Sequence, residues 1–138
     1  MPTVRLLAAL LTASASAAFA APASYLTLDH SSDLLMDNAT AQALWKDNLP
    51  AKLSKLYPVS KWGFLSEVEG GFSDAKVCIV TARAMMLPRS GKALLFKPYK
   101  TASTFGIQAA ASEEQCRALA KAKLGEAIAA VRFALLPI

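Results

Sequence analysis

Apolar residues at Leu44, Trp45, Leu49, Leu53, Leu56 and Tyr57 recur three and four apart, with Lys46, Lys52 and Lys55 between them. That spacing predicts an amphipathic helix. Asp37, Asn38 or Thr40 can cap its start, and Pro58 stops it. Pro50 falls inside the pattern, where it removes a backbone donor and crowds the preceding turn, so a kink or two short helices is expected. The stretch before it, "APASYLTLDHSSDLLM", has no sustained period. It reads as a mobile lead-in over residues 21–36 with a short strand at 25–28.

Beyond Pro58 the period changes from helical to alternating. Trp62, Phe64, Ser66 and Val68 share one face, and Leu65, Glu67 and Glu69 the other, which predicts a strand. Gly70-Gly71 and Ser73-Asp74 supply turn chemistry, so residues 76–87 should return antiparallel. This second strand is apolar on both faces and is read as central. Pro88 and Gly91 mark the next turn, and "KALLFKPYKTASTFG" follows as a third strand that Pro98 confines to an edge or breaks. Ser112 and Gln115 then form a capping box, with Glu113 and Glu114 at the positive end of the helix dipole. On a helical wheel Cys116, Ala120, Leu124, Ala127, Ile128, Val131 and Leu135 cluster on one side. The expected fold class is therefore α+β, a single domain over residues 37–138. It has an N-terminal helical segment, a three-stranded antiparallel β-meander, and a C-terminal helix packed on the sheet and tied to it by one disulfide.

The first twenty residues stand apart. Arg5 precedes the short apolar run "LLAALLTASASAAFA", which ends in the small-x-small triplet Ala18-Phe19-Ala20. That is the pattern of a secretory signal peptide cut after Ala20, with Ala23 the alternative site, and it points to a bacterial periplasm or secretion. Later apolar runs fall short of a membrane span, so the exported product is expected not to cross a bilayer.

Both locations are oxidising. The two cysteines, Cys78 and Cys116, permit one intramolecular pairing, and neither a CxxC spacing nor a neighbouring histidine supports a redox, haem or zinc site. A structural disulfide is expected, with an intermolecular pair or two free thiols as alternatives. Closing that loop adds about 4 kcal/mol by the chain-entropy estimate.

Catalytic chemistry is thin. His30, the one histidine, lies in the lead-in without a nucleophile motif. Glu67 and Glu69 point to the same strand face and could form a carboxylate pair for a small hydrolase, although carboxylates on a solvated strand are far commoner. Met85 and Met86 point to opposite faces and cannot jointly hold copper easily. Asp29, Asp33 and Asp37 lack calcium-loop spacing, and Gly70-Gly71 lacks a phosphate-loop context. No metal or cofactor is expected.

Charge is the informative surface feature. Only Arg5 of the 15 Lys+Arg lies in the leader, which leaves a modest excess over 10 Asp+Glu. From Ala75 to Ser112 there is no acid, while Lys76, Arg83, Arg89, Lys92, Lys97 and Lys100 are present. Arg83, Arg89, Lys92, Lys97 and Lys100, with Trp62, form the candidate binding face, and Arg83 and Lys97 are expected on neighbouring strands. Nucleic acid is disfavoured by compartment and by aromatics that do not interleave with the basic residues. The sequence thus points to a non-enzymatic exported module that meets another envelope or secreted protein, as an inhibitor, immunity or envelope-accessory protein does. It would do so through this hairpin face or the edge of its third strand. The alternative is an anionic small ligand or envelope polymer, bound in a pocket lined by Trp62 or Phe64.

Overall fold

A computed structural model describes residues 24–137; the expected leader lies outside them. The chain order is β1 (Leu26–Asp29), α1 (Asn38–Asn48), α2 (Leu53–Leu56), β2 (Trp62–Phe72), β3 (Cys78–Ser90), β4 (Ala93–Leu94), β5 (Lys100–Gln108) and α3 (Glu113–Leu135). The class is α+β, with five strands rather than the three expected from the alternation alone.

The meander of β2, β3 and β5 is present, and β3 is its middle strand. Two strands add to it. Four residues of the lead-in form β1, which runs parallel to β2 with Leu26 opposite Gly63 and Asp29 opposite Ser66. The lead-in is thus built into the domain from β1 onward, and Leu35 and Met36 enter the core. The second addition comes from the segment read as one long third strand. It makes only the two-residue β4 against Arg89 and Ser90, breaks across 95–99, and resumes at Lys100. Pro98, which cannot donate to a ladder, sits in that break.

The helices follow their local signals. Asp37 caps α1 by accepting from the Thr40 amide at 2.7 Å, and that contact holds its carboxyl below the usual range. The helical pattern splits around Pro50 into α1 and α2. Ser112 and Gln115 close the capping box of α3, and the seven residues gathered on its wheel are the seven that are buried.

One face of the sheet, the inner face, carries Phe64, Val68, Cys78, Val80, Ala82, Ala84 and Met86 and is covered by α1 and α3. Small residues on β3 let α3 lie close, while Trp45 of α1 packs on Phe64 with ring centroids 4.9 Å apart. The Cys78–Cys116 disulfide joins the middle strand to the first turn of α3, with Cα atoms 5.6 Å apart. The Thr104 hydroxyl donates to the Lys123 carbonyl at 2.6 Å, farther along the same helix. Gly106 of β5 leaves room for that approach, since a Cβ there would come within 3.0 Å of Leu119 and 3.1 Å of Lys123. The helix therefore runs antiparallel to β5.

Candidate functional site

Among the described residues no helix lies on the opposite, outer face of the sheet, and the register divides that face into three zones. At one end Leu65, Met85 and Leu87 are buried beneath Leu94 of β4 and Leu28 of β1. Gly63 makes this possible: a Cβ there would lie 2.4 Å from Leu94 and 2.7 Å from the Leu26 carbonyl. In the middle Arg83 faces Glu67 across the ladder and pairs with it at 3.4 Å, both side chains partly solvated. At the far end Ile79, Phe105 and Ile107 lie together on β3 and β5, with Phe105 58 % and Ile107 57 % exposed.

This apolar zone adjoins an open edge. β5 is nine residues long and pairs only with β3 among the described residues. Its sequence, KTASTFGIQ, contains one charge, Lys100, and no proline. Native sheets commonly blunt such an edge with charges, bulges, proline or a covering element. The β1 edge shows the covering solution. There Gln42 of α1 donates to the Thr27 carbonyl at 2.8 Å and also meets the Thr27 hydroxyl.

The basic residues singled out from the sequence do not share one face. Arg83 lies on the outer face, and its neighbour on β5 is Ser103, with Lys97 left in the connection before β5 begins. The expected Arg83–Lys97 juxtaposition is therefore replaced by the Arg83–Glu67 pair. Arg89 is spent on the turn, donating to the Gly91 carbonyl at 2.6 Å and the Val59 carbonyl at 2.9 Å. Lys92 and Lys97 are exposed on the β3–β5 connection. Lys100 opens β5 opposite Met86, and its ammonium sits 5.3 Å from the Tyr99 ring centre. Trp62 is half-buried, packed against Tyr57 and Tyr99 at 6.1 and 5.1 Å between ring centroids. Burial and the neighbouring Tyr99 push the Tyr57 hydroxyl upward in pKa.

Glu67 and Glu69 do share a face, but Glu67 is engaged by Arg83 and Glu69 stands exposed opposite Thr81. Phe64 is wholly buried, its ring packed between Tyr25 and Trp45 at 5.0 and 4.9 Å between centroids. A groove of about 720 Å³ lies between the β1 edge and α1–α2, where Tyr25, Gln42 and Lys46 line it. Burial raises the Tyr25 phenol to about 12, and its hydroxyl donates to the Tyr57 carbonyl. A second cavity of about 350 Å³ sets Asp33 and Asp37 against Arg117 and Lys121. Among the described residues no three His, Cys, Asp or Glu side chains gather as a metal site would require. No helix there is long and apolar enough to cross a membrane.

What sequence reasoning missed is the exposed trio of Ile79, Phe105 and Ile107. The signal existed in the alternation Thr101, Ser103, Phe105, Ile107, which puts two large apolar side chains on the face that also bears Arg83.

No protein-family model matches the chain, and no curated protein matches it in sequence. Among solved structures it is similar to a variant PelC dodecamer from Paraburkholderia phytofirmans, at 8 % identity and a TM-score of 0.43, over 82 % of this chain and 92 % of that one. It is also similar to a second PelC dodecamer structure from the same organism, at 9 % identity and a TM-score of 0.39, over 78 % of this chain and 86 % of that one. No residue assignment in this protein rests on either likeness.

Proposed function

We propose that the chain is an exported, non-enzymatic interaction module that receives an extended segment of a second envelope or secreted polypeptide along β5. The observation that carries this reading is the juxtaposition of a nine-residue edge, unpaired among the described residues, with the exposed side chains of Phe105 and Ile107. An added strand would satisfy the free backbone groups of that edge, and its own alternate side chains would cover the apolar zone. Lys100 at one end, within a stretch that has no acid from Ala75 to Ser112, favours a segment with an acidic residue at the matching end. Export after a leader at residues 1–20 fits the disulfide, which forms and persists in oxidising compartments. A hydrolytic role for Glu67 and Glu69 gains no support from a carboxylate already held by Arg83.

The test is photo-crosslinking from position 105 or 107 in the exporting cell, followed by mapping of the crosslinked peptide. One extended segment of one partner is expected, and a Phe105→Lys, Ile107→Lys protein of unchanged thermal stability should lose about tenfold or more of the product. Crosslinks scattered over many proteins, or unchanged in the double variant, would refute strand addition.

A further inference from the structure

The β3–β5 connection carries an arrangement that strand addition does not use. It is held stiffly at both ends. Leu94 is packed into the closed end of the outer face, and the Leu95 amide donates to the Pro88 carbonyl at 2.8 Å. On the far side the Tyr99 amide donates to the Met86 carbonyl at 2.8 Å, and the Tyr99 ring packs on Trp62 and Tyr57. Between these anchors Leu95 and Phe96 project into solvent, 51 % and 72 % exposed. Lys92 and Lys97 flank them, both exposed.

The neighbouring surface repeats the combination. Tyr57 joins the end of α2 to the connection through its ring, and just before it stand Lys55 and Leu56, exposed alike. Lys61 is brought alongside by its carbonyl, which accepts from the Arg89 amide at 2.7 Å. Two acid-free segments thus meet at this end of the molecule: residues 48–66, bounded by Asp47 and Glu67, and residues 75–112. Glu67, the nearer of the two acids on β2, pairs with Arg83, and Asp29 of β1 accepts from the Ser31 and Ser66 hydroxyls at 2.7 Å.

We infer that this end of the molecule is an interfacial anchor that seats the protein on an anionic lipid bilayer. The tip consists of two exposed apolar side chains on a loop tied at both ends, with lysines on either side. A fluid apolar layer accepts such a tip without shape complementarity, and the lysines around it then lie at the depth of the headgroup phosphates. Each lysine near such a surface adds attraction that salt screens. The aromatic cluster behind the tip keeps it from folding back.

Cosedimentation with lipid vesicles tests this, using the disulfide-bonded protein recovered after export. Vesicles of phosphatidylcholine with about 30 % phosphatidylglycerol should retain the protein about tenfold better than phosphatidylcholine alone, and raising salt from about 0.1 to about 0.5 M should abolish the difference. A Leu95→Ser, Phe96→Ser protein and a Lys92→Glu, Lys97→Glu protein should each lose about tenfold or more of the binding while keeping the parent's circular dichroism and melting temperature. The Phe105→Lys, Ile107→Lys protein should still bind, which separates this surface from the open edge. Absence of sedimentation with the anionic vesicles would overturn the inference. So would equal sedimentation of the Leu95→Ser, Phe96→Ser protein, or competition by a soluble anionic glycan as effective as that by lipid.

Discussion

The two faces of one sheet are built on different terms. The inner face reads Cys78, Val80, Ala82, Ala84, Met86 along β3, each buried under a helix. The outer face of the same strand reads Ile79, Thr81, Arg83, Met85, Leu87, and only the last two are covered. Burial on the inner face supplies the apolar transfer that offsets chain entropy, at roughly 25 cal/mol per Å² removed from water. The outer face contributes a small leucine-methionine cluster and one solvated ion pair. Its apolar zone buries less, with Phe105 and Ile107 more than half exposed. Covered and solvent-facing apolar residues are thereby separated by the thickness of a single strand.

Four variant proteins measure that separation. The largest effect belongs to the inner face: a Cys78→Ala, Cys116→Ala protein should lose about 4 kcal/mol in chemical denaturation, because the bridge closes a loop with a sequence separation of 38. A loss below about 1 kcal/mol would mean that α3 docks without the bridge and that the inner face is held by packing alone. Next, Leu124→Ala should cost about 3 kcal/mol as a buried truncation, whereas Phe105→Ser with Ile107→Ser should stay within about 0.5 kcal/mol of the parent. If the serine pair proved as damaging as the leucine, the outer zone would be core, and the contrast would fail. The smallest effect is at the centre of the outer face. Arg83→Ala should change stability by less than about 1 kcal/mol, since the pair with Glu67 is partly solvated, and that change should vanish in high salt.

Where the signal was local, the sequence was readable. The capping box at Ser112, the buried stripe of α3, the division at Pro50 and the break at Pro98 each follow from residues within one or two turns of each other. The parallel pairing of β1 with β2 was not readable. It joins residues 37 apart through a four-residue strand without enough length to show a period, and it is fixed by nonlocal contacts such as the Ser66 hydroxyl donating to Asp29 at 2.7 Å. The bare half of the outer face was hidden for a related reason. Ile79 and Met85 look alike on a strand, and only the fold-back of Leu94 decides that one is covered and the other is not. The same fold-back delays β5 to Lys100, which is why Arg83 meets Ser103 and Glu67 rather than a second cation.

The covalent bridge also encircles everything between its two sulfurs, β4, β5 and the braced loop among them. A protease that nicks the chain once at Phe96 or Lys97 would leave two fragments that still travel as one species on a non-reducing gel. They would part only when a reductant is added, so damage to this exposed loop stays tethered wherever the surroundings are oxidising.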